Sequence, residues 1–175
     1  LQKAGAITSA YEFHWQRFLF DNFPKGIGFP TLEAPVIQAA LPPSTVQAYS
    51  IDDSQTTEID DALSVQGLGT GEVVVGIHIA APALALTPGH TIDQIARQRL
   101  STVYMPGNKI TMLPDHVVQS YTLQEGRDCP AVSLYLRVDE SSLEILGSDT
   151  RVECVYIAAN LRHDVLDDVV TEAWL

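Results

Sequence analysis

Short runs rich in apolar and β-branched residues, some alternating with polar ones, recur along this chain. Val46-Gln-Ala-Tyr-Ser-Ile51, Ala62-Leu-Ser-Val65 and Val73-Val-Val-Gly-Ile-His-Ile-Ala80 read as three strands, the last two joined by a turn at Gly67-Leu-Gly-Thr-Gly71. Further on, Ala131 to Val138, Leu143 to Leu146 and Arg151 to Ile157 read as an antiparallel meander with turns at Asp139 to Ser142 and Gly147 to Asp149. Elsewhere the period is helical. Tyr11 to Asn22 carries apolar or aromatic residues at 11, 15, 18 and 19 and ends before Pro24 and Gly26, which predicts an amphipathic helix. Its aromatic residues Phe13, Trp15, Phe18 and Phe20 stand at helical spacing and are expected to pack rather than to stack on bases. Thr91-Ile-Asp-Gln94 fits a capping box with Thr91 as N-cap, opening a helix to about Thr102 that exposes Arg97 and Arg99. A last helix is predicted from Asp164, with Val165, Leu166, Val169, Val170 and Ala173 on one face and no C-cap before residue 175, as if a longer protein had been cut there. Together these elements predict a mixed α+β fold with a mainly antiparallel sheet and flanking helices.

Between the first two strands lies Asp52-Asp-Ser-Gln-Thr-Thr-Glu-Ile-Asp-Asp61, which holds five carboxylates (Asp52, Asp53, Glu58, Asp60, Asp61) and no basic residue. Like charges held close together oppose one another's ionisation, so such a cluster takes up protons, splays into water or binds a cation. Hard divalent ions such as Mg²⁺ prefer carboxylate oxygen and keep waters that a phosphate can replace. A calcium loop of the EF-hand type does not fit, because Thr57 stands where the sharp turn needs glycine and Leu63 where a bidentate glutamate is needed. On charge and periodicity the stretch reads as a metal-binding loop, with a solvated acidic turn as the alternative. His78, mid-strand among apolar residues, reads as a satisfied core histidine rather than a ligand.

Composition narrows the picture. A 46% hydrophobic content over 175 residues suffices for a sizeable core. Cys129 and Cys154 lack paired ligand spacing, which predicts reduced thiols and neither a zinc site nor a disulfide framework. No signal peptide and no apolar run of membrane-spanning length are present, so the expectation is a soluble, intracellular, cytoplasmic protein without a membrane partner. The net charge of -12 repels phosphate, so a nucleic-acid enzyme built on this chain needs a basic surface elsewhere and bound metal to offset the acids.

Ser50-Ile-Asp-Asp-Ser-Gln-Thr-Thr-Glu-Ile-Asp-Asp-Ala-Leu63 closely resembles the signature of the ribonuclease II (RNB) family of exoribonucleases. The similarity continues through Val75 to Ala80, the Arg97 to Arg99 helix, Ser101-Thr-Val-Tyr-Met-Pro-Gly107 and Met112-Leu-Pro114. It implies that residues 1–45 are a helical preface and connecting segment and that 46–175 are the first part of an RNB-type catalytic domain. It further implies a hydrolytic exoribonuclease that shortens single-stranded RNA from 3′ to 5′ and releases nucleoside 5′-monophosphates. The implied cofactor is Mg²⁺, as one or two ions, with Mn²⁺ as a substitute. By the same resemblance Asp52 and Asp61 are metal ligands, Glu58 is a ligand direct or through water, and Asp60 is the catalytic residue that positions the second metal or the attacking water. Tyr104 would stack near the RNA 3′ end, while Arg97 and Arg99 are candidate phosphate contacts or plain solvated charges.

The chain departs from the family pattern at three places. Glu58 stands where the family usually has Asp, Ala81 replaces an Asp that commonly follows the His-Ile-Ala strand, and Ser120 to Leu123 is a loose version of a loop that usually carries Asp and Cys. Later parts of the family's catalytic region, which supply phosphate-gripping arginines, and its OB-type RNA-binding domains lie outside this chain. Two other readings follow: a catalytically degenerate RNB-like protein that binds RNA without cutting it, and a structural domain whose acidic loop binds Ca²⁺ or solvent.

Overall fold

The computed structural model describes residues 2–33 and 35–170, with the side chains at 168 and 169 excepted. Its centre is a closed barrel of five strands, β1 (Pro43–Asp52), β2 (Asp61–Gln66), β3 (Glu72–Ala80), β6 (Asp128–Asp139) and β7 (Ile145–Arg162), in the order β1-β2-β3-β6-β7. All neighbours are antiparallel except β1 and β7, whose parallel pairing from Pro43↔Cys154 to Asp52↔Arg162 closes the ring. The mainly antiparallel α+β expectation therefore holds, while the closure was not foreseen.

The reason for closure lies in side-chain size. Barrel diameter grows with strand number, so five strands enclose little space. Positions facing inward are accordingly small: Ala48 and Ser50 on β1, Ala62 and Ser64 on β2, Gly76 on β3, Ala131 and Ser133 on β6, joined by Val46, Val155 and Ile157. His78 is the largest polar group inside and is fully buried. Its Nε2 lies 2.8 Å from Ser64 Oγ and its Nδ1 2.8 Å from Ser133 Oγ, and Tyr135 meets the ring edge-on at 5.6 Å. Both nitrogens are thus satisfied, and burial lowers the histidine pKa, outweighing the opposite pull of Glu153. The core reading of His78 is borne out.

Outside the barrel, α2 (Thr91–Arg99), α3 (Asp115–Tyr121) and the hairpin β4 (Val103–Met105) and β5 (Asn108–Ile110) form a second layer. Ile92, Val117 and Tyr121 make its core, with Leu32, Ile37, Leu86 and Leu113 packed against them. The Tyr121 hydroxyl donates to the carbonyl of Pro35 at 2.6 Å, which fastens the connecting segment to this layer. Ahead of it, α1 (Ala10–Asn22) is capped by Ser9, whose Oγ accepts from the Glu12 N–H. Trp15 and Phe18 stack half-buried, while Phe13 and Phe20 face solvent, so only part of the aromatic set packs.

Several boundaries differ from the sequence expectation. The expected turn at Gly147 to Asp149 lies inside β7, because Ser148 and Asp149 stay in register with Leu136 and Tyr135 of β6. The N-cap of α2 is His90, whose Nδ1 accepts from the Ile92 N–H, while Asp93 reaches back to the Gly89 N–H; Thr91 is already helical. That helix ends at Arg99, since Leu100 turns left-handed with φ 67°. Helix α4 spans His163–Val169, leaves Val170 outside, and Ala173 lies outside the described residues. Cys129 and Cys154 are both free thiols, and no helix among the described residues is long and apolar enough to cross a membrane.

Two outcomes follow from this architecture. A Cβ on Gly76 would overlap Ser64 Oγ and His78 Nε2 inside the closed ring, so Gly76→Ala should destabilise the chain by about 1–3 kcal/mol in urea denaturation. At the β6–β7 turn, Asp139 accepts from the N–H and hydroxyl of both Ser142 and Ser141, which hold its pKa at about 2. Its ionised form is favoured by folding, so this contribution is complete above the ordinary carboxylate pKa of about 4 and is lost as pH falls through about 2. The melting-temperature gap between wild type and Asp139→Asn should therefore be full at neutral pH and close over that acid window; a gap unchanged down to the acid end would contradict it.

Candidate active site at one mouth of the barrel

The antiparallel order brings the C-terminal ends of β1, β3 and β7 and the N-terminal ends of β2 and β6 to the same mouth. The acidic loop crosses this mouth. Ile59 plugs into the barrel core at 5% exposure and is clamped by backbone bonds: its N–H donates to Thr122 Oγ1 at 2.8 Å and its carbonyl accepts from the Leu123 N–H at 2.9 Å. The Asp60 carbonyl takes the Ala80 N–H at 2.8 Å. With Ile59 pointing inward, its neighbours Glu58 and Asp60 both turn to a cleft of about 530 Å³ between the barrel and the second layer. Tyr104, Thr102, Met112 and Tyr121 line the same cleft.

Each acid has a different setting. Asp52, at the end of β1, accepts from Ser50 Oγ at 2.6 Å, and that hydroxyl accepts from Asn160 Nδ2 at 3.0 Å. Asn160 is itself fixed by the Leu123 carbonyl and the Glu125 N–H, so a chain of hydrogen bonds from β7 orients the Asp52 carboxylate. Asp61 opens β2, exposed and paired across the ladder with Ile79. Asp53 is exposed, and its carbonyl, with that of Thr56, is held by Arg162 Nη1. Glu58 Oε2 accepts from Thr102 Oγ1 at 3.1 Å, while Oε1 lies 3.1 Å from Lys109 Nζ. The ammonium is close enough for an ion pair yet off the hydrogen-bonding direction, so the buried Oε1 has no hydrogen-bond donor among the described residues. Asp60 presents surface to solvent, yet its pKa is raised. Desolvation is the largest cause, followed by the charges of Glu58, Asp61 and Asp52, against a smaller opposing effect of Lys109.

Tyr104 stands at the cleft rim, 66% exposed, with the Lys109 ammonium 5.7 Å from its ring. Partial burial, and then the charges of Glu58 and Asp60, raise its phenol pKa. The α1 residue Tyr11 reaches the same hairpin, donating to the Pro106 carbonyl at 2.7 Å and accepting from Asn108 Nδ2 at 2.8 Å.

The structure thus brings Glu58, Asp60 and Tyr104 together in one cleft. Asp52 and Asp61 sit at adjoining strand ends and act on Asp60 through their charge, without lining that cleft. Arg97 is exposed on α2 and does not line it either. Arg99, expected on the exposed face of its helix as a phosphate contact or a solvated charge, is half-buried instead. Its Nη1 donates to the Thr111 carbonyl and its Nη2 to those of Ile27 and Gly28, and its guanidinium stacks 3.7 Å from the Phe29 ring centroid. The two Nη2 bonds pin the residues after α1 onto α2. Sequence reading missed Lys109, Thr102, Asn160 and Arg162, none of which belongs to an acidic or glycine-rich motif; Lys109 could have been marked as the nearest base downstream of Tyr104.

Oxygen-only anionic donors with one buried, undonated carboxylate oxygen suit a hard divalent cation in chemistry. They do not form a closed cage: among the described residues no three Asp, Glu, His or Cys groups stand at joint ligating spacing. Asp52, Glu58, Asp60 and Asp61 would have to draw inward around an ion.

Comparison with known proteins places this arrangement. The RNB domain family model matches residues 44–173. The chain is 37% identical over 90 residues to the chloroplastic/mitochondrial ribonuclease II of Arabidopsis thaliana, an alignment covering 51% of this chain and 11% of that protein. Mycoplasma genitalium RNase R, solved in complex with ribose-methylated single-stranded RNA, superposes with a TM-score of 0.68 at 18% identity, over 82% of this chain and 23% of that one. Yeast Ssd1, described as a pseudonuclease, superposes with a TM-score of 0.69 at 20% identity, over 79% of this chain and 18% of that one. This chain therefore spans only a small part of the proteins it resembles. The match over residues 44–173, seated on the five-stranded barrel and its acidic mouth, makes the chain a member of the RNB domain family.

Proposed function

We propose that this chain is the acidic, metal-holding part of a 3′-to-5′ hydrolytic exoribonuclease that acts on single-stranded RNA and releases nucleoside 5′-monophosphates. The observation that carries this reading is the convergence of Glu58 and Asp60 on a cleft rimmed by Tyr104, with Asp52 and Asp61 at the adjoining strand ends. Family membership supports it.

In this reading Asp52, Asp61 and Glu58 hold Mg²⁺, as one or two ions for which Mn²⁺ can substitute. The bound metal would activate water and offset charge on the phosphoryl group. Asp60 positions the attacking water, and its raised pKa suits a carboxylate that receives a hydrogen bond from it. As the bond from the water oxygen to phosphorus forms, the bond from phosphorus to the preceding 3′ oxygen breaks, and the terminal nucleotide leaves as a 5′-monophosphate. Tyr104 offers a ring on which a terminal base stacks without regard to sequence. Arg97 remains a candidate phosphate contact. A cytoplasmic setting is consistent with two free thiols.

The second reading is an RNB-like protein that binds RNA without cutting it. The observation favouring it is that Glu58 faces Lys109 and Thr102 and that the acids do not converge at ligating spacing. RNA titration in EDTA, beside turnover in Mg²⁺, separates the two: binding without turnover selects the second.

Decay of a 5′-labelled single-stranded RNA in Mg²⁺ by the longest form of the protein should show stepwise 3′ shortening. Asp60→Asn should slow it by about a hundredfold or more, while RNA binding changes far less, because the role is strongest in the transition state. Equal slow decay in both forms would remove the exonuclease reading. Tyr104→Ala should weaken single-stranded RNA binding by about 1–3 kcal/mol, the usual worth of one base–aromatic stack, as read by fluorescence anisotropy.

A further inference from the structure

Only two cationic side chains reach the acidic loop among the described residues, Arg162 and Lys109. The Arg162 contacts go to the backbone carbonyls of Asp53 and Thr56, which fix the loop's path. Lys109 is different. Its ammonium lies 3.1 Å from Glu58 Oε1 and 3.1 Å from Thr57 Oγ1, so its charge bears directly on the carboxylate. Three details make this contact exchangeable. The ion pair is off the hydrogen-bonding direction, leaving Oε1 without a donor. Glu58 Oε2 is held separately by Thr102, whose own oxygen also takes the Met112 N–H, so the carboxylate keeps its place if the ammonium leaves. The Lys109 side chain is 30% exposed against 9% for Glu58, and a flexible four-carbon stem lets it swing into water.

We propose that Lys109 is the built-in counter-ion of the acidic mouth, and that a divalent cation reaching Glu58 enters by displacing it. This rests on the metal reading above. Without metal, Lys109 offsets part of the repulsion among Glu58, Asp60, Asp61 and Asp52; with metal, the ion takes over that task and the ammonium moves out past Tyr104. Lys109 is a positioning residue, since it acts through Glu58.

The test is Mn²⁺ binding to the intact chain without RNA, measured by calorimetry for wild type, Lys109→Met, Lys109→Gln and Lys109→Arg. Removing a competing positive charge should tighten Mn²⁺ binding by about three- to tenfold in the Met and Gln variants, and Lys109→Arg should stay within about twofold of wild type. Damage to the fold would loosen binding, so tightening cannot arise from a merely structural role. The metal-free melting temperature of Lys109→Met and Lys109→Gln should fall, and the rise on adding Mn²⁺ should exceed that of wild type. Binding by wild type with equal or weaker binding by both neutral variants overturns the proposal and leaves the metal reading standing. Absence of Mn²⁺ binding in every form overturns both.

Discussion

The pairing of β7 with two partners at once is the constraint on which the rest of this structure depends. Over eighteen residues that strand runs antiparallel to β6 and then parallel to β1, so one segment closes the barrel and carries Asn160 and Arg162 to the acidic mouth. From Cys154 onward closure gives β7 the partner β1, which removes much of the exposed ladder that an open five-stranded sheet would present. It also forces the interior to be narrow. Serine, alanine and glycine therefore line the ring, and His78 is accommodated because two serines meet its nitrogens and Gly76 yields the space its ring needs.

At the mouth, the same rigidity works against electrostatic comfort. Four carboxylates are held within range of one another by strand ends and by the Ile59 plug, and the Asp60 pKa is raised by desolvation first and then by the charges of Glu58, Asp61 and Asp52. A loop free to relax would splay these groups into water. Here the backbone clamps at Ile59 and Asp60, the hydrogen-bond chain from Asn160 to Asp52 and the arginine on the loop carbonyls oppose that relaxation. Repulsion retained by a stiff frame costs folding stability.

Much of this was legible in the sequence. The runs around Val46, Ala62 and Ala131 read as strands because each sets buried positions two apart, while the Val73 run is apolar on both faces and half-buried or buried nearly throughout. The acidic decapeptide stood out because charge between two such runs has to emerge at strand ends. Barrel closure was not legible, since parallel pairing between residues a hundred positions apart leaves no local pattern. The Gly147 to Asp149 turn was misread because glycine and aspartate usually break strands, whereas here register with Leu136 and Tyr135 overrode local propensity. Arg99 was misread for a related reason: an arginine in a helix's last turn looks solvated until the chain that folds back onto it, Phe23 to Phe29, is seen.

The long reach of the β1–β7 seam bears on how the chain comes to be folded. A ribosome releases β1 about a hundred residues before the segment that must lie beside it, and pairings of such high sequence separation form slowly. Until then β1 is an unpartnered edge bearing Tyr49 and Ile51, both partly exposed even in the finished barrel. Nascent forms that stall before Arg162 emerge with neither a sealed interior nor a tethered acidic loop, and an open strand edge of that kind is prone to pair with another chain.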